Sequence, residues 1–174
     1  MIERGYAVAM SHYNRWFNEK LYATCSELTD AERKQDRGAF FKSIHGTLNH
    51  ILWADLLNLC RVRRQPLPDL GDTRAIVHED FDELWTRRRA TDDDLLHWAE
   101  HELVESELRQ PFAIWVISRQ EYLQRELWVW VVQMFNHQTH HRGQVTTLLT
   151  QLGRDVGVTD VPVTPILSTV PVRL

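Results

Sequence analysis

Between Ser43 and Val62 the chain places Ile44, Leu48, Ile51, Leu52, Trp53, Leu56, Leu57, Leu59 and Cys60 so that a helix here is apolar around most of its circumference. Such a helix is stable in water only when other elements cover it on more than one side, so the fold must be built around this segment. No proline and only Gly5, Gly38 and Gly46 occur in the first sixty residues, which leaves long helices free to form there. Upstream, Tyr6, Ala9, Met10, Tyr13, Trp16, Phe17 and Leu21 recur at three-and-four spacing and predict an amphipathic helix over about 2–25. Ser26 to Gly38 is polar, with Thr29 or Asp30 able to cap a short turn.

Downstream, Pro66, Pro68 and Gly71 close the central helix. Phe81, Leu84, Trp85, Leu95, Leu96, Ala99 and Leu103 predict a third helical region, with an interruption expected near Thr91, whose spacing to Asp94 resembles a capping box. Pro111–Leu123 is β-branched and aromatic and too short for a core helix, so an extended segment or small hairpin turning near Ser118 and Arg119 is expected. A last helix runs from about Arg125 to Gly153. The tail from Val156 to Leu174, with Pro162, Pro165 and Pro171, reads as extended chain packed on the outside of the helices or on a partner subunit. The expected fold class is all-α: one domain over 1–174, a four-helix bundle with a short extended segment before the last helix.

Twenty basic against twenty-four acidic residues give a formal charge of −4, without the concentrated Lys and Arg of a nucleic-acid surface. The Arg61/Arg63/Arg64 and Arg87/Arg88/Arg89 groups are short and read as solvated helix faces. No segment approaches 18 apolar residues, so no membrane span is expected. Met1 to Arg4 runs directly into the amphipathic pattern rather than a signal peptide, and Cys25 and Cys60 both sit in helix-like segments; a reducing cytoplasm fits this usage.

The last helix carries the strongest chemical signal. Trp130, Met134, His137, His141, Val145, Leu148 and Leu152 form one stripe, so two histidines four residues apart share an otherwise apolar face. Their Cβ atoms lie about 6 Å apart and both imidazoles can face one ion; without an ion, each needs other polar partners. His97 and His101 repeat the spacing, and His97-Trp98-Ala99-Glu100-His101 matches a zinc-protease pattern. There Leu95, Leu96, Ala99 and Leu103 define the buried side, so these histidines are expected on the opposite, solvated side with Glu105. Three protein ligands make a catalytic zinc site, so a third must come from elsewhere. His45 borders the stripe of Leu48, Leu52, Leu56 and Leu59, while His50 lies on a second strip with Trp53 and Leu57; periodicity leaves both as candidates.

The segments Ser43-Ile44-His45-Gly46-Thr47-Leu48-Asn49-His50-Ile51-Leu52-Trp53-Ala54-Asp55 and Phe135-Asn136-His137-Gln138-Thr139-His140-His141-Arg142-Gly143-Gln144 resemble the DinB family of metal-binding helical proteins, the DinB/YfiT-like group. The likeness extends in order and length over nearly the whole chain. It implies His50, His137 and His141 as ligands of one divalent metal, a helical bundle of unusual connectivity, and a homodimer. It also implies a small-molecule substrate and a thiol-dependent S-transferase using a low-molecular-weight thiol, the alternative being a non-catalytic metal-binding stress-response or sensor protein. Three neutral imidazoles would leave the ion its full charge and an open position, lowering the pKa of a bound water to about 7 or converting a thiol to thiolate. Zn or Ni is the ion such donors suit. Around the ligands, Asn49, Asn136, Gln138, Arg142 and Gln144 could orient an imidazole or hold an anion, although capping and surface roles are commoner for each. His140 points about 100° from His141 and reads as a flank residue. Tryptophans such as Trp16 and Trp130 read as core, and Trp53, one turn after His50, is the candidate pocket wall. No catalytic acid or base carboxylate can be placed from the sequence.

Overall fold

The structure is a computed structural model that describes residues 1–116 and 119–167. It is mostly helical. The four long helices are α1 (Arg4–Ser26), α3 (Ile44–Val62), α4 (Phe81–His97) and α5 (Leu127–Gln151), with a single-turn α2 (Asp30–Lys34) between the first two. Each long helix packs on two others: α1 on α4 and α5, and α3 on the same pair. The apolar circumference of α3 is thereby covered, and Ile44, Leu48 and Leu52 are sealed from solvent.

A small apolar cluster gathers Trp53, Ala54 and Leu57 of α3, and two larger ones each draw on all four long helices. One joins Leu21, Leu48, Leu52, Leu84, Val145 and Leu149, and the other joins Ala7, Leu59, Leu95, Val131 and Phe135. The same four helices also carry a buried polar layer of Asn14, Asn18, Asp55, Arg88, Asp92, Gln138 and Arg142. Arg88 pairs with Asp55 at 2.6 Å and with Asp92 at 2.8 Å. Asn14 and Asn18 donate to Asp92 at 2.9 and 3.0 Å, Gln138 donates to Asp55 at 2.9 Å, and Arg142 donates to Asn14. Burying two guanidinium groups is tolerable because each has partners in the same layer. This overturns the solvated reading of Arg88: three-and-four spacing from Leu84 to Thr91 and Asp92 turns it inward, while its neighbour Arg89 stays outside on Glu19.

Two boundaries differ from expectation, at Thr91 and at the start of the last helix, while the expected hairpin before that helix is present. No break occurs at Thr91, whose hydroxyl bonds back to the Arg87 carbonyl within a continuous α4. The distortion comes later, in a π turn at Trp98–Glu102. The segment before α5 is a two-stranded antiparallel hairpin, β1 (Pro111–Val116) with β2 (Glu121–Glu126), in register from Pro111↔Glu126 to Val116↔Glu121. Arg125 therefore belongs to the sheet and α5 begins at Leu127. Ser118, one of the two residues expected at the hairpin turn, lies outside the described residues, as does the tail beyond Leu167. The described part of the tail lies along α1: Tyr13 donates to the Thr159 carbonyl at 2.8 Å, Lys20 to that of Val158, and Val156 enters the cluster of Leu21 and Leu48. Among the described residues no helix is long and apolar enough to cross a membrane.

Candidate metal centre

His50 comes from the middle of α3, and His137 and His141 from one face of α5. Helix periodicity sets the α5 pair side by side, and the packing of α3 on α5 brings the third imidazole to them. The Nε2 of His137 lies 3.2 Å from that of His50 and 3.0 Å from that of His141. All three residues offer ligand atoms within 4.8 Å of one another, and among the described residues no other His, Cys, Asp or Glu joins the group.

The outer ring nitrogens decide what the inner ones present. Nδ1 of His50 is 2.8 Å from the Thr73 carbonyl, which can only accept, so Nδ1 carries the proton and Nε2 a lone pair. Nδ1 of His141 donates likewise to the Gln144 side-chain oxygen at 2.8 Å. His137 has one Nε2 and two lone pairs facing it, so any proton it holds there satisfies one and leaves the other opposed. Its own Nδ1 is buried without a partner. A divalent cation at the centre would resolve the conflict, because nitrogens about 2.05 Å from a tetrahedral ion stand about 3.3 Å apart. Burial, with a smaller contribution from the neighbouring imidazoles, pushes His50 down to about 4; burial does the same for His137 and also lowers His141. The rings are thus neutral at physiological pH, the form in which an imidazole can bind a cation.

Two aromatic rings stack on His50. Phe41 stacks on it with centroids 3.8 Å apart, and Trp53 stacks more loosely at 5.9 Å. Phe41 also meets His141 edge-on. Phe41 can reach this place because Gly46 lets the chain fold back over the start of α3; a Cβ there would collide with the Phe41 carbonyl.

The remaining candidates separate. His45 is buried elsewhere, donating through Nε2 to the His78 carbonyl at 3.0 Å. Asn49 is not beside the ligands; it accepts from the His78 amide and donates to the His78 carbonyl, pinning the loop that carries Thr73. Arg142 faces α1 rather than the site, lying over Tyr13 and Phe17, and Gln138 belongs to the buried polar layer. Gln144 orients His141 directly. Asn136 is exposed and His140 is an exposed flank residue, 3.3 Å from Gln144 through Nε2. His97 and His101 are solvated, with side chains 59% and 61% exposed.

Beside the trio a cavity of about 250 Å³ is lined by His50 and His137, by Trp53, Asn58 and Arg61 of α3, by Ile114, Trp115 and Val116 of β1, and by Trp130, Gln133 and Met134 of α5. Trp53 is thus a pocket wall, and so is Trp130, which was expected in the core; its indole donates to the Phe112 carbonyl at 2.9 Å. Phe41, Thr73 and Arg61 were not legible as site residues. Phe41 and Thr73 lie in loops with no periodicity to read, and Arg61 sits in a basic run that looks like surface.

A family model described as the DinB family matches residues 1–168. The chain belongs to the DinB family. Its fold is similar to the crystal structure of a DinB-like protein from Bacillus cereus ATCC 10987, with a TM-score of 0.61 and 20% sequence identity over 82% of this chain and 89% of that one. No curated protein matches the chain significantly. Membership in the DinB family and the converging histidines agree with a metal-binding protein.

Proposed function

We propose that this DinB-family protein is a metal-dependent enzyme whose single divalent ion, Zn or Ni, is held by His50, His137 and His141, and that it acts on a small molecule in the adjoining cavity. The observation that carries the reading is the pair of fixed tautomers: Thr73 and Gln144 hold the outer protons of His50 and His141, so both rings present lone pairs toward His137 Nε2. Bound there, such an ion would supply Lewis acidity and lower the pKa of a water or thiol taking a position the protein leaves open. The chain's own residues hold the imidazoles neutral, fix their tautomers, and wall the reacting region with tryptophan and β1 side chains that limit water. No carboxylate lines the cavity among the described residues. That favours attack by a metal-activated nucleophile, such as a thiolate in an S-transfer, over hydrolysis assisted by a Glu or Asp base.

Elemental analysis of protein purified without an affinity tag tests the centre. One equivalent of metal is expected in the parent, and none above background in His50→Ala, His137→Ala and His141→Ala, while His45→Ala keeps it. Retention of metal by the three variants, or its loss in His45→Ala alone, would overturn the assignment. Loading with Co²⁺ and adding a low-molecular-weight thiol tests the open position: a thiolate-to-metal charge-transfer band in the near ultraviolet is expected, and an unchanged spectrum counts against thiol chemistry.

A further inference from the structure

His50 and Arg61 are eleven residues apart on α3, about three turns, which returns them to the same face some 16 Å apart along the helix axis. Both line the cavity, together with Trp53 and Asn58 between them. The lining of the cavity therefore extends along α3 from His50, beside His137, to Arg61. Trp53, Trp130 and Ile114 supply flat and apolar wall to it.

Arg61 is half-buried, yet no carboxylate lies within ion-pairing distance of it among the described residues; its one side-chain partner is Asn58 Oδ1, 3.1 Å from Nη1. Its pKa is lowered by burial with no acid to offset it. The other arginines of this run find partners outside the cavity: Arg63 pairs with Glu102 at 2.7 Å, and Arg64 lies over the Phe112 ring. A partly desolvated guanidinium without a counter-charge is costly, and its planar fork matches a carboxylate held by two parallel hydrogen bonds.

We propose that Arg61 is the anion-recognition residue of this cavity, and that the substrate is a small organic monocarboxylate with a flat or aliphatic body, bound with its carboxylate on Arg61 and its other end toward the histidines. One cation at the Arg61 end of the cavity, among apolar walls, balances one negative charge, and a phosphate dianion there would leave the excess charge poorly solvated. The orientation of the substrate rests on the metal-centre reading, whereas the carboxylate contact does not require the ion.

The test uses 4-phenylbutanoate, 4-phenylbutanol and 4-phenylbutyl phosphate as probes, titrated calorimetrically into the 174-residue chain with and without chelator, with metal content measured on the same samples. The carboxylate is expected to bind at least about tenfold more tightly than the alcohol. Arg61→Met should reduce it to the alcohol's affinity and leave the alcohol unchanged, and Arg61→Lys should restore part of the difference. Circular dichroism checks that the variants fold. Equal affinity for carboxylate and alcohol, selectivity that survives Arg61→Met, tighter binding of the phosphate, or no binding of any probe at millimolar concentration would each overturn the proposal. Selectivity for the carboxylate in protein that holds no metal even without chelator upholds the Arg61 contact while the metal reading fails. Stoichiometric metal without such selectivity does the reverse.

Discussion

At the scale of single residues, the chemistry turns on which ring nitrogen carries a proton. His50 is held by a loop carbonyl on one nitrogen and by two aromatic rings, so its imidazole faces His137 in one orientation with a lone pair inward. This predicts how the metal-free protein responds to acid. His50 and His137 titrate near 4 when folded and near 6.5 when unfolded. Between those values the unfolded chain binds protons that the folded one refuses, so stability is lost as pH falls below about 6.5, by up to about 1.4 kcal/mol per pH unit for each ring. Urea midpoints measured with chelator at pH 7.5, 6.5, 5.8 and 5.0 should decline gently between 7.5 and 6.5 and more steeply below, and His137→Leu should flatten the decline. A midpoint independent of pH in this range would mean that the rings are not buried as neutral groups. The α5 pair was legible in the sequence, because a four-residue spacing on an apolar face has one geometric outcome. The choice of His50 over His45 was not legible from periodicity. Both are buried on α3, and they differ in which loop carbonyl meets them, Thr73 for one and His78 for the other.

At the scale of elements, the start of α3 does more than cap a helix. Ser43 accepts from the Gly46 amide through its side chain, and the absence of a Cβ at Gly46 admits the Phe41 carbonyl, which sets Phe41 over His50. Gly46→Ala should therefore weaken two things at once: stability by about 1–3 kcal/mol through overpacking, and metal affinity through displacement of Phe41. Denaturant midpoints and a competition titration with a chromophoric chelator read the two separately, and a variant with full stability and unchanged affinity would refute the coupling. Element types were readable because period-3.6 stripes mark the four long helices and the β-branched run marks the hairpin. Errors came where a side chain had two structural readings. Thr91 suggested a helix start but only bonds back within α4, and Arg88 suggested surface in a run of three arginines although its register faces Asp55.

At the scale of the whole molecule, the histidine contact joins residues 87 positions apart and ties α3 to α5 beside the buried polar layer. An ion held there binds the folded chain and not the unfolded one, so it stabilises by about 4 kcal/mol when free metal is a thousandfold above its dissociation constant. For a chain of this length that corresponds to a rise in Tm of roughly 8–16 °C. Scanning calorimetry with Zn²⁺ and with chelator should show the difference in the parent and none in His141→Ala; equal transitions in both would mean that the centre holds no ion in the folded state. The sequence by itself determined the helical class, the inward face of each long helix and the paired histidines of α5, because these depend on spacings within one turn or one strand. Tertiary structure alone decided the rest: that Arg88 has carboxylates to meet inside, that Thr73 and Phe41 come to His50, and that β1 closes a cavity reaching Arg61. Those contacts join residues tens of positions apart, and a local period carries no information about what lies across the interface it faces.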